Sequence, residues 1–136
     1  MHLQIVTPNG AKVDVETEGV TAPGTVGDLG ILPGHRALLT SLGIGRLTYH
    51  QGGQTHFLAI NGGFMEVAEG DVIVITETAE APDEIDADRA KAALKRAEEA
   101  LAATDPNRAD SLMLHLAARK RAENRLAVSK LTKRSL

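Results

Sequence analysis

The sequence lacks cysteine altogether and has very few aromatic residues. Tyr49, Phe57 and Phe64 make up 2% of the 136 residues, so aliphatic side chains must fill any core. Without cysteine there are no disulfides, thiolate zinc sites or thiol nucleophiles, which is typical of a reducing compartment. So few rings also argue against base stacking, and we expect no nucleic-acid partner.

Long apolar runs are missing as well. No stretch approaches the roughly 20 apolar residues that cross a bilayer. The first residues have neither the basic stretch nor the apolar run of a signal peptide. We therefore expect a soluble protein that associates with a membrane only through its partners.

Charge is divided unevenly along the chain, although the net charge is only −3. Residues 1–83 hold three cations against ten carboxylates, whereas residues 84–136 hold twelve cations against eight. Such asymmetry favours separate duties for the two parts. The basic part either attracts an acidic partner or presents a solvated helix face, and composition alone favours neither.

The first half has the pattern of short strands. Apolar and polar residues alternate in segments that begin near residues 2, 11, 46, 55, 64 and 72. Turn residues separate them, among them Pro8-Asn9-Gly10, Gly52-Gly53 and Asn61-Gly62-Gly63. A spacing of about 8–12 residues with glycine-rich turns is typical of an antiparallel sandwich or barrel. We predict an all-β body that ends at Pro82.

The second half changes to a helical period. Asp86 is a plausible N-cap, and apolar residues then recur at helical spacing up to Leu101. The segment 104–107 breaks this helix and can cap a second one, which we expect to run to about Lys133. The predicted fold class is therefore α+β, with a β-sandwich in residues 1–82 and a two-helix hairpin in residues 83–136. Its alanine-rich seam buries little area, so the hairpin should be marginally stable and mobile.

Residues that could carry catalysis are not found in any specific pattern. The five histidines show no metal-ligand spacing, although His50 and His56 could face each other across the Gly52-Gly53 hairpin. The glycines of 24–30 do not follow a phosphate-binding pattern, and no Walker motif exists. We therefore expect a protein that is not an enzyme and that holds neither a metal nor an obligatory cofactor.

Two segments stand out against this background. Residues 22–35 interleave glycine and proline with aliphatic residues, which indicates either a sandwich corner or a rigid docking edge, and the spacing favours the corner. In the second half, Asp86 and Arg89 share one helix face, and Arg121 and Arg125 share another. If the hairpin closes, these arginines can converge on the start of the first helix as an anion site; the alternative is a set of weak surface ion pairs.

These features together resemble the epsilon subunit of the rotary, F-type ATP synthase. The resemblance rests on the string GDLGILPGH at 27–35, on Asn61-Gly62-Gly63-Phe64, on Ile85-Asp86-x-x-Arg89-Ala90 and on residues 121–126, in the order β-body then hairpin. It implies a ten-stranded sandwich in the central stalk of the proton-translocating ATP synthase, beside the gamma subunit and on the c-ring. It further implies a peripheral position on the cytoplasmic face of the bacterial plasma membrane.

The resemblance also implies roles for particular residues. The hairpin would inhibit ATP hydrolysis when extended towards the alpha and beta subunits, and would permit turnover when folded. An ATP site, as a regulatory ligand only, would use Glu80, Ile85, Asp86, Arg89, Ala90, Arg121 and Arg125. Contacts to the c-ring or gamma would use Asp28, Leu29, Gly30 and His35. Contacts to the catalytic subunits would use Arg119, Lys120, Arg121 and Arg125.

Two other functions remain open at this point. One is a free-standing nucleotide-sensing protein that shares the architecture, which differs from a rotor subunit in not co-purifying with a large ATPase. The other is a small β-sandwich hydrolase, for which the sequence offers no candidate constellation.

Overall fold

The computed structural model of the protein describes residues 1–131 and the backbone of residues 134 and 135. Nine strands and two helices are present among these residues. The strands are β1 (His2–Thr7), β2 (Gly10–Glu16), β3 (Gly19–Gly24), β4 (Gly27–Ile31), β5 (Leu38–Gln51), β6 (Gln54–Ala68), β7 (Asp71–Ile75), β8 (Ala79–Glu80) and β9 (Arg134–Ser135). A 3₁₀ turn (Pro82–Glu84) leads to α1 (Ala87–Ala103) and α2 (Ala109–Ser129). The predicted class, a β-body followed by a helical hairpin, is confirmed.

One continuous hydrogen-bonded sheet forms both layers of the sandwich. The strand order is β2-β1-β7-β6-β5-β3-β4, with β8 and β9 also paired to β6. All pairs are antiparallel except β1 with β7. The two long strands, β5 and β6, each run through both layers, with one half of the strand in each layer. We call β2, β1, β7 and the adjoining halves of β6 and β5 sheet one, and the remaining strands sheet two.

Alternating residues from both layers form a single core. The core is aliphatic apart from Tyr49, as the shortage of aromatic residues requires: Leu3, Ile5, Val20, Ala22, Ile31, Leu42, Leu47, Tyr49, Leu58, Ile60, Met65, Val67, Val72, Val74 and Ala79. Since successive side chains of a strand point to opposite faces, each sheet keeps an outer face as well. The two outer faces differ in what covers them, and this difference bears on function.

One strand boundary was wrongly predicted, and two strands were not predicted. Asn61-Gly62-Gly63 does not separate two strands but lies inside β6, where both glycines have positive φ. A Cβ at Gly63 would lie 1.9 Å from the Ile75 carbonyl oxygen, so glycine is needed there for close passage rather than for a turn. Segment 22–35, predicted only as a corner or edge, contains the end of β3 and all of β4.

The helix boundaries agree with the prediction at the start and differ at the end. Asp86 caps α1 and accepts a hydrogen bond from the Arg89 backbone amide at 3.1 Å. No side chain caps α2, which begins after Arg108, so capping from residues 104–107 was wrongly predicted. Because α2 ends at Ser129, the predicted end near Lys133 was also wrong; residues 132, 133 and 136 lie outside the described residues.

The hairpin packs as an outer layer on one side of the sandwich. Helix α1 packs against α2, and α2 packs against β5, β6 and the 3₁₀ turn. The residues buried in the two helices are small: Ala90, Ala97, Ala122 and Val128. The predicted alanine-rich seam is therefore present, and it permits close helix approach while burying little area.

Candidate functional site

Helix α2 is held to the sandwich by three contacts near its C-terminal end. The Asn124 side-chain amide donates a hydrogen bond to the Gly45 carbonyl oxygen at 2.9 Å. The Arg125 guanidinium donates two bonds to the Glu80 carboxylate, at 2.9 and 3.1 Å. Val128, 1% exposed, packs into a small apolar cluster that we call the hairpin anchor: Phe57, Ala59, Ile85 and Val128. These contacts define the docked hairpin.

The 3₁₀ turn that leads into α1 is tied to β2 by the Glu84 carboxylate. Glu84 accepts a hydrogen bond from the Ala81 backbone amide at 2.9 Å and forms an ion pair with Lys12 of β2. The Lys12 ammonium first, and the Ala81 amide second, hold the pKa of Glu84 below its usual value. The pair is partly exposed, so its contribution to stability is small. It nevertheless fixes the point from which the hairpin leaves the sandwich.

Between the docked hairpin and the sandwich lies an open cleft of about 670 Å³, which we call the hairpin cleft. This volume lies within the range of roughly 300–1,000 Å³ of small-molecule sites. Alanines of both helices form much of its wall, and polar and charged residues complete it: Asn61, Thr78, Glu80, Ala93, Arg96, Ala97, Ala100, His115, Ala118, Arg121, Ala122 and Arg125. Three arginines therefore face one cavity.

Positive charge in the cleft is only partly compensated. Arg125 is paired with Glu80. Arg96 and Arg121 form no ion pair with any other residue in the described part of the chain. Planar guanidinium groups bind phosphate and carboxylate through paired hydrogen bonds. The cleft is therefore suited to an anionic ligand of nucleotide size.

The predicted ATP-site residues are distributed over two places. Glu80, Arg121 and Arg125 line the cleft together. Ile85 lies in the hairpin anchor and Asp86 caps α1, so both perform structural tasks in the docked hairpin. Ala90 is buried and Arg89 is exposed. Neither of the last two residues lines the cleft, and the predicted site as a whole stays a prediction.

Sequence reasoning missed Arg96 and His115. The signal was present, because Ala93, Arg96, Ala97 and Ala100 share one helical face by their i, i+3, i+4 and i+7 spacing. His115, Ala118, Ala122 and Arg125 likewise share one face of α2, at i, i+3, i+7 and i+10. A polar residue embedded in a stripe of small residues marks a helix face that leaves room for a ligand.

A histidine metal pair is ruled out by the strand register. His50 lies opposite Thr55, to which its Nδ1 is hydrogen-bonded at 3.1 Å. His56 lies opposite Tyr49, and the two rings stack at 4.7 Å with 4° between their planes. Burial raises the pKa of the Tyr49 phenol. Within residues 1–131 no group of three histidine or carboxylate side chains is placed to hold a metal ion.

Comparison with known proteins adds the family. The sandwich, residues 1–82, matches the family described as "ATP synthase, Delta/Epsilon chain, beta-sandwich domain". The chain is 51% identical over 106 residues to the ATP synthase epsilon chain of Trichlorobacter lovleyi, covering 78% of this chain and 77% of that one. It is 44% identical over 129 residues to that of Geotalea uraniireducens, covering 95% and 93%. The chain belongs to the ATP synthase epsilon family.

Solved structures agree with this family. A chain of the Euglena gracilis mitochondrial ATP synthase, in a structure of its OSCP, F1 and c-ring, aligns with a TM-score of 0.80 at 25% identity, covering 92% of this chain and 78% of that one. A chain from the central stalk and c-ring of the Tetrahymena thermophila enzyme shares the fold, with a TM-score of 0.54 at 19% identity and coverage of 65% and 72%. The predicted resemblance to the epsilon subunit is therefore confirmed.

In this epsilon-family chain, the predicted c-ring and gamma contacts do not form one cluster. Asp28 lies near the β3–β4 turn and lines a groove of about 460 Å³ together with Lys120 and Asn124 of α2. His35 lies beyond the other end of β4, where its Nδ1 is 2.7 Å from the Arg36 carbonyl oxygen. Leu29 is half-buried, and Gly30 is exposed between them. Contact of these residues with a partner stays a prediction.

The basic residues of α2 likewise point in several directions. Arg119 forms a helical ion pair with Glu123 at 3.6 Å, and exposed Lys120 lines the groove beside Asp28. Arg121 and Arg125 face the hairpin cleft instead. In the docked hairpin the four therefore do not share one surface, and binding a catalytic subunit through all of them would require the hairpin to leave the sandwich. Neither described helix is long and apolar enough to span a membrane.

Proposed function

We propose that this epsilon-family chain is a non-catalytic rotor subunit that couples the catalytic head of a proton-translocating ATP synthase to its c-ring and regulates ATP hydrolysis. The sandwich would be held by the gamma subunit and the c-ring, at the cytoplasmic face of the membrane. The hairpin would be the regulator. When released, it would inhibit hydrolysis through the alpha and beta subunits, and when docked it would permit turnover. Membrane association would come only through these partners.

The observation that carries this proposal is the small area of contact between hairpin and sandwich. Among the described residues, the C-terminal part of α2, Ile85 and the Glu84–Lys12 ion pair hold the hairpin to the sandwich, whereas α1 packs mainly on α2. Burying one valine-sized side chain contributes about 1.5–3 kcal/mol, and a partly exposed ion pair contributes about 0–1 kcal/mol. The docked hairpin is therefore more stable than the released hairpin by only a few contributions of this size. A free-energy difference that small suits an element that changes between two positions.

We further propose ATP as the ligand that favours the docked hairpin. Arg96 of α1, Arg121 of α2 and Glu80 of β8 line one cleft while the hairpin is docked. Bound ATP would join these three elements if its phosphates lie on the arginines and a hydroxyl or amino group donates to Glu80. A ligand that binds only the docked form stabilises it by RT ln(1 + [L]/Kd), about 2.7 kcal/mol at a hundredfold excess over Kd. That amount is comparable with the anchor itself, so the ATP concentration would select between the two positions.

Calorimetric titration with ATP tests the ligand. Replacing Arg96 or Arg121 by alanine should weaken binding at least about tenfold, because each loses charge-assisted bonds worth about 1.5–3 kcal/mol. These two are preferred to Arg125, whose removal would also break its ion pair with Glu80. The matched control is Arg36→Ala in the exposed loop 32–37, which should bind like the wild type. Weaker ATP binding by Arg89→Ala than by the wild type would show that the start of α1 contributes to the ATP site.

Different results would remove different parts of the proposal. No binding by the wild type at millimolar ATP would contradict ATP as the ligand. It would not contradict the proposal that the chain is a rotor subunit. Equal binding by Arg96→Ala, Arg121→Ala and the wild type would move the ligand to another site. The free-standing sensor is separated by a different experiment: the tagged chain should co-purify with an ATPase complex, and its recovery alone would favour the sensor.

A further inference from the structure

The side chain of His115 has no partner in the part of the chain that the structure describes. The other four histidines form hydrogen bonds or stack on a ring: His2, His35, His50 and His56. The imidazole of His115 forms neither a hydrogen bond nor an ion pair within residues 1–131. It is half-buried on α2 and lines the hairpin cleft. Its ring nitrogens are therefore available to a ligand in the cleft.

The helix bounds place Arg96 and His115 at the same level of the hairpin. Arg96 lies about two turns before the end of α1, and His115 lies about two turns after the start of α2. Since the two helices of a hairpin run antiparallel, both residues lie equally far from the link between them. Arg121 and Arg125 follow His115 by about two and three turns, towards the sandwich, where Arg125 is paired with Glu80. The cleft therefore has an outer level (Arg96 and His115) and an inner level (Arg121, Arg125 and Glu80).

The charges around His115 oppose its protonation while the cleft is empty. Three elements supply the charged side chains that line the cleft with it: Arg96 of α1, Glu80 of β8, and Arg121 and Arg125 of α2. On its own helix, Arg119 follows His115 by one turn and is paired with Glu123. Among the described residues no other charged side chain lines the cleft, so positive charge is in excess there. Like charges disfavour a protonated imidazole, whereas a bound anion favours it.

The position of the carboxylate indicates which way a nucleotide would lie in the cleft. Glu80 belongs to the inner level, where it repels phosphate groups but can accept hydrogen bonds from hydroxyl or amino groups. The outer level has an arginine and a histidine and no carboxylate among the residues that line the cleft. The phosphates should therefore lie towards Arg96 and His115. A protonated imidazole donates from both ring nitrogens, so it can form a charge-assisted hydrogen bond with a phosphate oxygen.

We propose that His115 binds the terminal phosphate of the nucleotide as an imidazolium, so that binding in the hairpin cleft takes up a proton. The proposal rests on ATP as the proposed ligand and adds its regulation by pH. Histidine gains and loses its proton between about pH 5 and 8. A ligand that binds the protonated form more tightly gains affinity as the pH falls, because binding and protonation favour each other equally. At a fixed ATP concentration, acidification would therefore favour the docked hairpin.

The test is calorimetric titration of the full chain with ATP between about pH 8 and 6. Over this range the Kd of the wild type should fall about fivefold more than that of His115→Gln, which can hydrogen-bond but cannot be charged. His115→Arg keeps its charge at every pH, so at the upper end of the range it should bind ATP more tightly than His115→Gln does. Protonation of ATP itself is common to all variants and cancels in these comparisons. His2→Gln, on β1 and outside the cleft lining, is the matched control and should keep the pH dependence of the wild type.

Proton uptake can be measured directly in the same experiment. The apparent binding enthalpy near neutral pH is compared in PIPES and imidazole buffers, whose ionisation enthalpies differ. The wild type should take up roughly half a proton more per bound ATP than His115→Gln. A histidine that only fills space on the helix face would produce no such difference. Thermal unfolding of each variant checks the fold.

Failure of this inference can be distinguished from failure of the proposed ligand. If the wild type binds no ATP at any pH in the range, ATP is not the ligand and the role of His115 is refuted with it. If the wild type binds ATP, and folded His115→Gln has the same pH dependence and the same proton uptake, the ATP site stands and His115 does not bind the phosphate. Weaker binding by His115→Arg than by His115→Gln at the upper end of the range would likewise place His115 away from the phosphates.

Discussion

Replacing Val128 by alanine should loosen the hairpin without disturbing the sandwich. Val128 is 1% exposed and packs against Phe57, Ala59 and Ile85 in the hairpin anchor, away from the main core. The change removes two buried methyl carbons at about 0.8 kcal/mol each, and the cavity left behind brings the loss to about 2 kcal/mol. Because the side chain is solvated after release, the loss falls on the docked state alone. The released fraction should therefore rise about thirtyfold.

A single introduced thiol can report this change, since the chain contains no cysteine. Ala59 is 3% exposed and faces the hairpin, so an Ala59→Cys thiol should react with a small disulfide reagent only when α2 lifts away. In that background Val128→Ala should speed labelling about thirtyfold. Val26→Ala makes the same chemical change at a position that is 100% exposed, and should leave the rate unchanged.

Two results would refute this reasoning. An unchanged labelling rate in Val128→Ala would mean that the anchor does not hold the hairpin, and that the Glu80–Arg125 pair and the Asn124 hydrogen bond suffice. A large drop in the thermal stability of the sandwich would mean that Val128 belongs energetically to the main core, so hairpin and sandwich would not be separable elements.

Two further predictions concern the junction. The pKa of Glu84 is lowered in the folded chain, so its contribution to stability is present above the unfolded value of about 4.5 and is lost as pH falls through the folded value. The unfolding temperature should therefore fall more for the wild type than for Glu84→Gln between about pH 5 and 3; parallel curves would contradict the linkage. Residues 1–82 should unfold cooperatively by themselves, because the main core includes no hairpin residue; a non-cooperative melt would contradict this boundary.

Local patterns in the sequence were sufficient for the architecture. Alternation with period two predicts strands and a 3.6-residue period predicts helices, because each element must bury one face. The N-cap at Asp86 was predictable for the same local reason, since a side-chain oxygen beside the first turn satisfies a backbone amide. The Gly52-Gly53 hairpin was correctly placed too. Each of these features depends on residues close together in the chain.

Predictions failed where the conformation of a residue depends on contacts with residues that are distant in the sequence. Gly62 and Gly63 have the composition of a turn, yet they lie within β6, and at Gly63 the backbone of Ile75 on the neighbouring strand passes too close for a Cβ. Strands β3 and β4 were not recognised because their glycines and proline conceal the alternation that the paired strands restore. Local pattern also could not decide whether His50 and His56 face each other, because strand register, which places His50 opposite Thr55, follows from pairing along the whole hairpin.

The sequence by itself determined the β-body, the helical hairpin, the uneven charge and the residue types available for an anion site. Only the tertiary structure decided which of them meet. It placed Arg96 and His115 in the cleft, used Ile85 to anchor the hairpin, and left Phe64 and Ile75 exposed on the face opposite α2. The physical reason is that helical or strand period specifies which side chains share a face, whereas packing between elements specifies what each face meets.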